Sequence, residues 1–137
     1  MEQTLTSEQI AQNWVTWLDA LASGQYKKVT TYLHRKVYGE ERHCCLGVAQ
    51  LCLGLSKTEG GADDRLVELL GLNNELGYKD QGHSIVGLND SDYCQDTDFV
   101  NMHRELLANI EGFTHKHPEV APLVRKMLAE RATPLAP

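Results

Sequence analysis

The stretch RHCCLGVAQLCLGL, residues 42–55, packs three cysteines, two glycines and a run of aliphatics into fourteen positions. Its reading decides the fold, because it is a metal site, a redox centre or a buried helix. From Cys44 to Leu55 the only strongly polar side chain is Gln50. A helix apolar on nearly all sides is a buried one. Cys45 and Cys52 fall seven apart, on one face, with Cys44 about 100° round the helix from Cys45. Zinc sites pair their cysteines two to four apart, so this spacing fits no standard zinc pattern. A catalytic thiolate needs a basic, partly exposed setting. Arg42 and His43 bring such a setting only as far as Cys44. The economical reading makes the thiols small buried hydrophobes in a central core helix that Gly54 ends.

Outward from that helix, the clearest element is N-terminal. Ile10, Trp14, Trp17, Leu18 and Leu21 form one apolar stripe at helical period. Thr6 and Gln9 have capping-box spacing, Leu5 can staple onto Ile10, and Gly24 suits the left-handed position after the last turn. Two tryptophans on a stripe are core anchors more often than a ligand shelf. Beyond the central helix, DDRLVELLGL supplies a short helix with Leu66, Leu69 and Leu70 inward and Gly71 as its stop. Residues 99–110 make another, with Phe99, His103, Leu106 and Ile110 on one stripe; His103 reads as a core or boundary histidine. Asp96, Thr97 and Asp98 stand where its cap belongs. A last helix carries Leu123, Val124, Met127 and Leu128 inward, and the tail from about residue 132 reads as loose.

Between the first two helices the period changes to two. In VTTYLHRKVY, residues 29–38, Val29, Thr31, Leu33 and Val37 share one side of a strand. Thr30, Tyr32, His34, Lys36 and Tyr38 share the other, and YGEE turns the chain into a second short strand ending near His43. The expected architecture is therefore α+β: a mainly helical single domain over 1–137, with about four to five helices. A small antiparallel β-hairpin around residues 29–44 packs on the central buried Cys-rich helix.

The net charge of −6 argues against general nucleic-acid affinity. No stretch is long and apolar enough to span a membrane, and the N-terminus lacks a secretory pattern. Those readings place the chain in a cytosol, where thiols stay reduced. The charge is uneven. Residues 25–42 hold Lys27, Lys28, Arg35, Lys36 and Arg42 against Glu40 and Glu41; residues 59–98 hold ten acids against Arg65 and Lys79. Such polarity can steer an anion or draw two copies into a homo-oligomer. The hairpin is the best anion-binding surface on offer, with Tyr32, His34, Arg35, Lys36 and Arg42 as candidate ligand-binding residues.

No catalytic residue, metal ligand or cofactor is assigned. Asp90, Asp92, Asp96 and Asp98 alternate like calcium ligands, but Gln95 and Asn101 stand where that loop needs glycine and glutamate. His115 and His117 around Lys116 read as an exposed loop.

The motifs WLDALASGQY, YL, HCCLGVAQLCLGL, LLGL and GLND, in that order over residues 14–110, resemble a family of small uncharacterised bacteriophage and prophage proteins. That family runs from a W..AL.SG.Y helix and turn to a CCLGV helix, then LGL, then LND. Here the step after SG.Y reads KKVTTYL, and the helix after residue 114 lies outside the pattern. The resemblance implies a setting, the host bacterial cytosol, and no reaction. Its expected function is a non-enzymatic accessory binding protein that counters host defence, by sequestering a small anionic, nucleotide-like signal or by blocking a host protein. Two alternatives stand beside it: a small nucleotide-processing hydrolase using histidines and the 90–98 carboxylates, and a self-assembling structural accessory protein.

Overall fold

The computed structural model describes residues 5–28, 34–55, 64–72 and 99–132. Tyr32, Cys94, the 90–98 carboxylates, the apolar segment at 85–88 and the tail from 133 lie outside the described residues. Six helices and three strands are described: α1 (Ser7–Ala22), β1 (Lys27–Lys28), β2 (His34–Val37), β3 (Glu40–His43), α2 (Cys45–Cys52), α3 (Asp64–Leu70), α4 (Val100–Ala108), α5 (Ile110–Phe113) and α6 (Val120–Ala132). The α+β, mainly helical architecture is as expected.

α1 begins as its sequence dictates. The Thr6 hydroxyl accepts from the Gln9 amide at 3.1 Å, and the Gln9 side chain accepts from the Thr6 amide at 2.8 Å. Both are amides that a helix start would otherwise leave unpaired. All five stripe residues are buried, joined by Ala11 and Val15. This helix makes the extended contacts of the fold, packing against α2, α3, α4 and α6. The Cys-rich helix α2 is buried as expected, but the hub is α1. The reason is reach: a helix of 16 residues can meet four partners, and one of 8 cannot.

The two tryptophans hold the hub together. Their rings meet edge to face with centroids 4.9 Å apart, a geometry that adds about 0.5–1.5 kcal/mol beyond burial. Trp14 Nε1 donates to the Leu70 carbonyl at 2.7 Å and Trp17 Nε1 to the Cys45 carbonyl at 2.8 Å. Asn13 Nδ2 donates to the Leu69 carbonyl at 2.9 Å. α1 thus caps the carbonyl end of α3, whose last oxygens have no intrahelical partner.

Gly71 follows α3 at φ +60°, and a β-carbon there would lie 3.0 Å from Ile10 Cγ2 and 3.2 Å from His117 Cδ2. The position needs both a left-handed backbone and bare space. Gly71→Ala should therefore lose about 1–3 kcal/mol of stability, read as a lower midpoint in urea. An unchanged midpoint would mean that α3 does not dock so closely on Ile10 and His117.

Two helix boundaries differ from the sequence reading. α4 starts at Val100, and its N-cap is Phe99, left-handed at φ 65°, with no side-chain cap. Phe99 is fully buried, so core packing holds a bulky residue where propensity would place an aspartate. The expected single helix over 99–110 breaks at Asn109, whose Nδ2 donates to the Glu105 carbonyl at 2.8 Å. The short α5 follows, and Gly112, read from the sequence as the stop of the 99–110 helix, lies inside α5. Arg125 of α6 ties this region down through Nη2 to the Leu107 carbonyl at 3.0 Å and to Glu111 at 2.8 Å. The paired guanidinium holds the exposed Glu111 carboxyl below its usual range.

Candidate functional site

The strands form a three-stranded sheet in the order β1-β3-β2. β2 and β3 are the expected antiparallel hairpin, closed by Tyr38 and Gly39. β1 was not anticipated: it adds to β3 in parallel, which makes the sheet mixed. A parallel partner arrives from the far end of the intervening chain, so no turn signal announces it.

Register decides which charges meet. Arg42 of β3 lies opposite Arg35 on one side and Lys27 on the other. The next row places His43 between His34 and Lys28. Directly opposed residues share a face. Lys27 is exposed and Arg42 half-exposed, whereas Lys28 and His43 are buried, at 8% and 6% exposure. Backbone register thus aligns Arg35 with exposed Lys27 and half-exposed Arg42, and aligns His34 with buried Lys28 and His43. Lys36 is exposed opposite Glu41.

The inner row is closed off by packing. The His43 ring stands edge-on to Tyr26 with centroids 5.8 Å apart, and β3 then runs through Cys44 directly into α2. In the outer row, Arg42 is committed but not saturated. Its Nη2 lies 2.7 Å from Glu40 and its Nη1 donates to the Lys28 carbonyl at 3.3 Å. Its Nε is buried with no hydrogen-bond partner. Like charges placed opposite one another across strands destabilise a sheet. Three cationic positions aligned by backbone register, with Glu40 paired to Arg42, form a row that an anion would relieve.

Of the five sequence candidates, the structure thus gathers Arg35 and Arg42 in one row, sets Lys36 on an exposed neighbouring position and sets His34 in the other row. Lys27 joins the site although the sequence reading counted it only as charge. Its signal is non-local: nothing in QYKKV says that it will lie beside Arg42.

The thiols sit away from any such arrangement. Cys44 and Cys45 are in the core cluster. Cys52 donates to the Ala49 carbonyl at 3.7 Å, and burial pushes its thiol up from 9.0 to about 11. The unfolded thiol ionises first, so this group's contribution to stability is complete below pH 9 and is lost as pH rises towards 11. Iodoacetamide near neutral pH should leave Cys44, Cys45 and Cys52 unmodified in the native protein and label them after unfolding, by peptide mass mapping. Native labelling of Cys44 would reveal an accessible thiolate at the end of β3.

Among the described residues, no three His, Cys, Asp or Glu side chains gather around one point as metal ligands would. No described helix is long and apolar enough to cross a membrane. No family model, no curated protein and no solved structure matches the chain.

Proposed function

We propose that this chain is a non-enzymatic binding protein that captures a small anion on the exposed face of its three-stranded sheet. The observation that carries the reading is the register row Lys27–Arg42–Arg35. Register aligns one cationic position from each of three strands, with Lys27 exposed and Arg42 half-exposed. A guanidinium with neighbouring ammonium groups matches phosphate and carboxylate oxygens, to which charge-assisted bonds are the strong ones. The rest of the described chain supports a scaffold role: a helical hub with its indole donors and thiols turned to packing.

The setting belongs to the same proposal. The ordered motifs from WLDALASGQY to GLND support an accessory protein of a phage or prophage, working in the host bacterial cytosol against a host defence. Sequestration of an anionic signal would need only a surface of this kind.

Calorimetric titration with inorganic pyrophosphate tests the site. Binding should be detectable at low ionic strength and weaken steadily as salt is added. Absence of binding at low salt would overturn the reading. Incubation with linear and cyclic nucleotides, followed by denaturation, should return them intact; recovery of a product would make the protein an enzyme.

A further inference from the structure

The hairpin supplies an anion of its own to the cationic row. Glu40 and Arg42 stand two apart on β3, and alternation sets them on one face of the strand. The Glu40 carboxylate lies 2.7 Å from Arg42 Nη2. Arg42 Nη1 is turned to the Lys28 carbonyl at 3.3 Å, and Nε is buried. An anion arriving from solvent therefore competes with Glu40 for Nη2.

The contact is one that can be given up. The two side chains, Arg42 and Glu40, are 29% and 46% exposed, and an ion pair so open to water and salt contributes little to the fold. What the carboxylate has in its favour is position. A partner tethered two residues away acts at an effective concentration of about a millimolar or more. A free monocarboxylate brings the same chemistry without the tether, so it does not win the exchange. An anion with several charges does, because it also gains from exposed Lys27, whose Cα pairs with that of Arg42. We infer that Glu40 is a built-in competitor of the anion site: an incoming anion must displace its carboxylate from Arg42, and multiply charged phosphates are the anions that succeed. The inference rests on the anion-binding reading above and gives that site its threshold. Glu40 takes the place back when the anion leaves.

Calorimetry on the intact chain at low ionic strength, with inorganic pyrophosphate and acetate as probes, tests the competition. The natural chain should bind pyrophosphate and show no binding of acetate at the same concentrations. Glu40→Gln keeps the size and removes the charge, and it should tighten pyrophosphate about tenfold. Glu41→Gln makes the same change in net charge on the opposite side of β3, and it should move the affinity by less than about twofold. The Tm of Glu40→Gln should stay within about 5 °C of the natural chain; a larger fall would make the pair structural and overturn the inference. Pyrophosphate bound equally or more weakly by Glu40→Gln would overturn it too, since Glu40 would then be idle or would hold Arg42 ready for the anion. So would an equal gain from Glu41→Gln, or acetate bound as tightly as pyrophosphate. These outcomes leave the anion site standing. Failure of the natural chain to bind pyrophosphate would instead remove the site and the inference with it.

Discussion

Trp17→Ala should lose about 3–5 kcal/mol of stability, enough to unfold much of the population of a domain whose total is about 5–15 kcal/mol. Trp17 is fully buried, and its loss would act in three ways at once. It leaves a cavity the size of an indole at the contact of α1 with α2, which the surroundings only partly close. It removes the edge-to-face partner of Trp14. It takes away the donor that meets the Cys45 carbonyl at 2.8 Å. Trp17→Phe separates these effects, because it keeps most of the volume and loses the donor; about 1–3 kcal/mol should go. Urea denaturation followed by far-ultraviolet circular dichroism reads both variants. A Trp17→Ala midpoint equal to that of the natural chain would mean that α1 is not the hub.

Lys27→Glu combined with Arg35→Glu should abolish capture of pyrophosphate while leaving the fold intact. Each change reverses a charge beside Arg42, and Arg42 itself keeps its contacts with Glu40 and the Lys28 carbonyl. A hydrogen bond to a charged group contributes about 1.5–3 kcal/mol, so losing two weakens binding by about a hundredfold or more. The fold should tolerate the change, since alternating charges across the three strands relieve the repulsion of three cations in one row. Calorimetry and thermal unfolding of the same sample check the two halves. Unchanged capture would move the site elsewhere; lost capture with lost folding would make the row structural.

The parts of this molecule that were legible in the sequence are those set by neighbours along the chain. The stripe from Ile10 to Leu21 and the Thr6–Gln9 capping box describe α1, because both are patterns within a few turns. The apolar run from Cys44 marked α2 as buried and its thiols as packing groups. The glycine after Tyr38 marked the turn. The misread features depend on what arrives from a distance. The period-two reading took the side of His34 and Lys36 as the outer one; Lys36 is exposed, but register pairs the Cα of His34 with that of buried His43. Alternation says which residues share a side and never which side faces the core. Phe99 was placed in a helical stripe, yet it sits left-handed before α4, held by packing that no local propensity encodes.

Taken alone, then, the order of residues determined α1, the burial of Cys44 and Cys45 in α2 and its approach, and the presence of a basic hairpin, since helical period, capping and turn chemistry act over a handful of positions. Only the tertiary structure decided that α1 is the hub, that β1 joins β3 in parallel, and that register aligns Lys27, Arg42 and Arg35 in one row. Those outcomes come from pairing and packing between segments far apart in the chain. Their free energy is gained only once both partners are in place, so neither segment carries the instruction by itself.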